Sequence, residues 1–138
     1  MLRNGYRVFV SHGSSDSWVA AQIARSIHDT GASTFLDESD IPKGANFKER
    51  IHEEIKKSRE LVALFTPWSS KRSWVWVEIG AAWSQEKPVV AVFYGMGATD
   101  LDQSGQGKAI LDDINVLEIN KFDIYVEELR KRLAEPRT

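Results

Sequence analysis

Short runs of β-branched and aromatic residues alternate along the chain with segments whose apolar positions recur every three or four residues. That alternation is the pattern of a parallel sheet covered by helices on both faces. Tyr6 to Val10 predicts a first strand, after which Val19, Ile23, Ala24 and Ile27 share one helical face, with Ser15 or Asp16 as the cap and Gly31 as the stop. Ser33 to Leu36 predicts a second strand, and Phe47, Ile51 and Ile55 mark a second helix. Leu61 to Phe65 is continuously apolar, which suits a central strand buried on both faces. Ser73 caps a third helix that Lys87-Pro88 ends, with Val75, Ile79 and Ala82 toward the core and Trp76 and Trp83 packing beside them. Val89 to Phe93 and Ile114 to Ile119 predict the last two strands, and Phe122, Val126, Leu129 and Leu133 place a closing helix with one face on the sheet.

The expected architecture is α/β, a flavodoxin-like three-layer sandwich whose five parallel strands take the order 2-1-3-4-5, in one domain over residues 1–138. Two loops stand out from this scheme. Asp37 to Asn46 is polar, broken by Pro42 and Gly44, and long for a strand-to-helix connection; Gly95 to Gly107 carries four glycines and is expected to be mobile.

Composition removes several function classes. The 138 residues contain no cysteine, so disulfides and thiolate zinc sites are excluded and nothing calls for an oxidising compartment. Eighteen basic against twenty acidic side chains give a net charge of -2, which argues against nucleic acid as a partner. No apolar run approaches the roughly 18 residues of a membrane span, and the start lacks a signal-peptide core. The chain therefore reads as soluble and cytoplasmic, without a membrane partner. His52 lies in His-Glu-Glu-Ile and His28 has no ligand neighbour, so no metal is expected.

In an open sheet of this order, ligands bind beyond the carboxyl ends of the strands where the first and third diverge. Three segments meet there: Ser11-His-Gly-Ser-Ser-Asp16, the Pro42/Gly44 loop, and Thr66 to Arg72, which leads into Ser73-Trp-Val-Trp-Val-Glu78. Trp74 stands four residues before Glu78, so an aromatic face and a carboxylate share one side of the helix, a pair suited to a cationic ring and its attached sugar. The strand ends lack the acidic residues of a phosphate-accepting receiver domain, and neither a Walker loop nor a Gly-x-Gly-x-x-Gly fingerprint is present.

Val8-Phe-Val-Ser-His12, Phe35-Leu-Asp37 followed by Pro42-x-Gly44, Leu61 to Pro67, and Trp74-x-x-x-Glu78 followed by Lys87-Pro88-Val-Val90 together resemble a TIR (Toll/interleukin-1 receptor) domain of the bacterial, NAD-consuming kind. The resemblance covers almost the whole chain. It implies that Glu78 matches the glutamate required for NAD cleavage, and that Asp40, Ile41, Pro42, Lys43 and Gly44 belong to the BB loop, through which such domains self-associate. It also implies NAD+ as substrate with no separate cofactor, a glycohydrolase, ADP-ribosyl cyclase or transferase reaction according to the acceptor, a nucleotide signal in antiphage defence, and an activating sensor or effector acting in trans.

Ordinary glycoside cleavage needs two carboxyl groups, one to protonate the leaving group. Nicotinamide departs neutral from a cationic pyridinium, so a single ionised Glu78 is enough to stabilise the ribosyl cation while Trp74 holds the ring. Ser11, His12, Gly13 and Ser14 are candidates for phosphate or ribose contacts, although some relatives carry arginines where this chain has Gly13-Ser14. Asp37 is a candidate to close the site from the second strand. Two other functions fit the same residues: a non-catalytic adaptor that assembles through the BB loop, and an enzyme like the nucleoside deoxyribosyltransferases.

Overall fold

Successive side chains of a strand point to opposite faces, so an all-apolar strand feeds two cores at once. In the computed structural model, residues 5–36, 47–69, 73–100 and 112–135 are described, with the backbone alone for 47, 48, 73 and 74. They form β1 (Arg7–Ser11), α1 (Ser17–His28), β2 (Ser33–Leu36), α2 (Phe47–Lys57), β3 (Glu60–Phe65), α3 (Ser73–Ser84), β4 (Val89–Phe93), β5 (Asn115–Glu118) and α4 (Phe122–Ala134). The strands make one parallel sheet in the order β2-β1-β3-β4-β5, as the pattern predicts.

Val8, Val10, Val62, Leu64, Val90 and Val92 point to one face, under Ile23, Ala24 and Ile27 of α1 and Phe122, Tyr125, Leu129 and Leu133 of α4. Phe9, Leu61, Ala63, Phe65, Val89, Ala91 and Phe93 point to the other, under Ile51 and Ile55 of α2 and Val75, Ile79 and Ala82 of α3. The core face expected for α3 is therefore the one observed. Gly31, with φ +104°, turns the chain from α1 toward β2.

Several local expectations are revised. Strand β1 runs one residue further, because Ser11 pairs in register with Ala63 of β3. Strand β3 begins one residue earlier, at the buried Glu60. That carboxylate accepts bonds from the Tyr6 hydroxyl (2.6 Å), the Tyr125 hydroxyl (2.8 Å) and the Arg132 guanidinium (3.0 Å), so its burial leaves no oxygen unsatisfied. Asp16 stands at the cap position of α1 but makes no side-chain cap bond, since its carboxylate is turned inward to Thr66. Trp76 packs on Phe65 with ring centroids 5.1 Å apart, whereas Trp83 is about half-exposed and donates its indole N–H to Asp113 Oδ2 at 2.8 Å. Of the glycine-rich segment, Ala98–Asp100 forms a 3-10 turn, closed by the Gly97 N–H donating to Asp100 Oδ2 at 2.8 Å. Its remainder, 101–107, lies outside the described residues.

No helix among the described residues is long and apolar enough to cross a membrane. No group of three His, Asp or Glu side chains among them is arranged to hold a metal ion.

Candidate functional site

The chain leaves β1 for α1 on one face of the sheet and leaves β3 for α3 on the other. Two connections that part in this way open a crevice at the carboxyl ends of the strands between them. Ser11 ends β1 at this point, held in place by its pairing with Ala63. Glu78 enters from α3, one helical turn after Trp74.

The Ser11 hydroxyl donates to Glu78 Oε1 at 2.5 Å, and both residues are 0% exposed. That length lies in the range of a charge-assisted O–H···O⁻ bond. The residues after Ser11 stay close by. His12 is buried, Gly13 is extended at φ −83° and ψ 155°, and Ser14 opens a 3-10 turn that Asp16 N–H closes on the Gly13 carbonyl at 2.9 Å. Ser14 itself is exposed, and its carbonyl accepts the Ser17 hydroxyl at 2.8 Å.

A second buried polar group stands at the exits of the same two strands. The Thr66 hydroxyl donates to Asp16 Oδ2 at 2.7 Å, the Thr66 N–H donates to Ser69 Oγ at 2.9 Å, and the Ser69 hydroxyl donates to the Leu64 carbonyl at 3.3 Å. Asp16, Thr66 and Ser69 are all buried. The bond across to Asp16 ties the exit of β3 to the exit of β1, and so fixes the crevice wall from which α3 departs. The Tyr94 N–H, donating to the Phe65 carbonyl at 2.9 Å, ties in the exit of β4 as well. Trp18 and Trp68, 74% and 70% exposed, follow two residues after Asp16 and Thr66, an exposure that periodicity does not reveal.

The structure thus brings together Ser11, His12, Gly13 and Glu78, and leaves Ser14 on the surface. Trp74 belongs to the first turn of α3, but its side chain lies outside the described residues, as do Asp37, Asp40, Ile41, Pro42, Lys43 and Gly44. Sequence reasoning did not find the Asp16, Thr66 and Ser69 group. Its visible signal is a run of small polar residues directly after the apolar strand Leu61 to Phe65.

A cleft of about 640 Å³ lies elsewhere, between Trp83, Lys87, Pro88, Val89, Asp113 and Asn115. Val89 and Asn115 start β4 and β5, so the cleft is at the amino ends of the strands, opposite the crevice. We take the crevice as the candidate site, since both buried polar groups stand at the carboxyl ends of β1 and β3.

Residues 8–133 match the TIR domain family. The chain is 27% identical over 100 residues, 70% of its length, to a probable 2′ cyclic ADP-D-ribose synthase of Brachypodium distachyon. It spans 44% of that relative's length. In fold it is similar to the TIR domain of the Toll-related receptor TRR-2 of Hydra magnipapillata, with a TM-score of 0.69, 17% identity, and 93% of this chain and 98% of that one covered. It is also similar to the TIR domains of the activated Roq1 resistosome, with a TM-score of 0.57, 22% identity, and 95% of this chain and 85% of that one covered. With its parallel sheet, its β1/β3 crevice and a match over nearly its whole length, the chain belongs to the TIR domain family.

Proposed function

We propose that this TIR domain, spanning residues 1–138, cleaves the bond between nicotinamide and ribose in NAD+. The observation that carries the proposal is the carboxylate of Glu78, set on Ser11 where β1 and β3 diverge. As the C1′–N bond breaks, the electron pair leaves with the ring, which departs as neutral nicotinamide. The positive charge is left on C1′ and the ribose ring oxygen. An ionised Glu78 faces that charge and accepts hydrogen bonds from the ribose hydroxyls. A single group of this kind is commonly worth about 10² to 10³ in rate. We assign the departing ring to Trp74, one turn before Glu78, and the ribose or phosphates to His12, Gly13 and Ser14, with Asp37 closing the site.

The acceptor then decides the product. Water adds to C1′ and loses a proton to give ADP-ribose, a hydroxyl of the same molecule closes a ring with loss of its proton, a ring nitrogen of the same molecule closes one through its lone pair, and a second molecule gives a conjugate. The similarity to a probable cyclic ADP-ribose synthase favours cyclisation, and a nucleotide signal in bacterial antiphage defence, made in the cytoplasm, is the role we propose. Glu78 is buried in the free chain, so NAD+ reaches it only after neighbouring groups part. Assembly through Asp40, Ile41, Pro42, Lys43 and Gly44, driven by a sensor or effector in trans, is the proposed trigger.

The same burial favours a second reading, an adaptor in which Glu78 is structural. The two part on one experiment: nicotinamide release and product mass spectrometry with NAD+ over a wide protein dilution series. The enzyme reading expects turnover per domain to rise with concentration and a cyclic product to appear. Absence of release at every concentration, with self-association intact, establishes the adaptor.

A further inference from the structure

We propose that Ser11 is a positioning residue, which orients the Glu78 carboxylate and holds it in its ionised form. Its catalytic consequence rests on the NAD+-cleaving reading; its effect on Glu78 does not.

A serine hydroxyl has one proton to give, and here that proton goes to Glu78 Oε1 at 2.5 Å. The donor is rigid. Ser11 is the last paired residue of β1, opposite Ala63 in the centre of the sheet, and is 0% exposed. Burial and the Ser11 bond act on Glu78 in opposite senses. Complete burial penalises the charged carboxylate, and a hydrogen bond donated to it favours that form. Removing the donor while keeping the burial therefore pushes the carboxyl toward its protonated, neutral form. A neutral Glu78 offers no negative charge to a ribosyl cation, so Ser11, whose one proton is given to Glu78, acts here through the carboxylate rather than through the ribose or phosphate contact expected of it.

Other titratable groups lie on the neighbouring elements among the described residues. His12 follows Ser11 at the exit of β1, and Asp16 is held by Thr66 in the adjoining turn. From α2, which packs on α3, the buried Glu54 is paired with Arg7 and Arg50. Helix α3 itself carries no titratable side chain but Glu78. A site-resolved measurement separates Glu78 from all of them.

The experiment is a carbon-13 NMR titration of the Glu78 carboxyl, assigned by its loss in Glu78→Gln, in the wild type, Ser11→Ala and Ser11→Thr. It is paired with the pH profile of nicotinamide release. Ser11→Ala is expected to move the Glu78 midpoint up by about one pH unit or more. The acid limb of kcat should move with it, KM for NAD+ should change little, and Ser11→Thr, which keeps the hydroxyl, should return both toward the wild type. An unmoved Glu78 midpoint in Ser11→Ala, or a drop in kcat that is uniform across pH, overturns the proposal. If Ser11→Ala does not fold, Ser11→Cys, which keeps the size but is a weak donor, takes its place: an upward move of the Glu78 midpoint supports the proposal, and an unmoved one overturns it. A midpoint that moves in a protein releasing no nicotinamide at all ends the NAD+ reading and leaves the positioning role standing.

Discussion

Thr66 reaches across 50 residues of sequence to donate its hydroxyl to Asp16, and the bond is buried at both ends. Thr66→Val keeps the shape and removes the donor, leaving a carboxylate that has lost its partner inside the protein. The expected cost is about 1–3 kcal/mol, read as a lower midpoint of urea unfolding at an unchanged slope. A midpoint equal to that of the wild type contradicts this account of the crevice wall. At this scale the sequence shows which residues matter more readily than whom they touch. Ser11 and Glu78 are recognisable candidates, but their contact joins positions 67 apart, and periodicity carries no information about pairing between distant segments. Asp16 shows the limit plainly, since an aspartate before a helix looks like a cap whether or not it caps.

Helix α3 carries the candidate carboxylate and ends under strain. Lys87 N–H bonds the Ala82 carbonyl and Glu86 N–H bonds that of Trp83, both at 3.0 Å, which is the Schellman arrangement. Its left-handed position is usually glycine, yet Glu86 occupies it with φ 59°. A side chain there costs roughly 1–2 kcal/mol, and Glu86 is exposed, so nothing but the backbone conformation is at stake. Glu86→Gly is expected to stabilise the domain by roughly 0.5–1 kcal/mol after the entropy cost of glycine, a rise of a few degrees in Tm with nicotinamide release unchanged. A fall in Tm would overturn this reading of the helix end. Elements themselves were legible from the chain because β1, β3 and β4 carry short apolar runs bounded by polar turns. Their ends were less so, because Ser11 and Glu60 join strands through pairing and hydrogen bonding that apolar pattern does not express. Trp83 misleads for a related reason: indole is apolar in composition, but its N–H finds Asp113 at the surface.

Across the whole molecule, Glu60 gathers Tyr6 before β1, its own strand β3, and Tyr125 and Arg132 of α4 into one network at the end of the sheet away from the crevice. Burial, then the charge of Glu60 and the hydrogen bond to it, push the Tyr125 hydroxyl well above the ordinary tyrosine value of 10.0, and burial followed by Glu60 raises Tyr6 as well. A phenol that holds its proton more tightly in the folded than in the unfolded chain adds stability that is complete below pH 10 and is lost as pH rises beyond it. Thermal melting should therefore drop steeply above about pH 10, and Tyr125→Phe should flatten that drop while costing about 1.5–3 kcal/mol at neutral pH. An equally steep alkaline fall in the variant would remove Tyr125 from this role. The fold places this network at the amino ends of the strands and the candidate chemistry at their carboxyl ends. That division was invisible in the sequence, where Glu60 and Glu78 are each a lone acid beside apolar residues. The central claim is that Glu78 acts on NAD+ as an anion, and its most direct measurement is nicotinamide release by assembled wild-type protein beside Glu78→Gln, with folding checked by melting. The account predicts release by the wild type and a loss of about 10² or more in the variant. Equal release by the two folded proteins contradicts it.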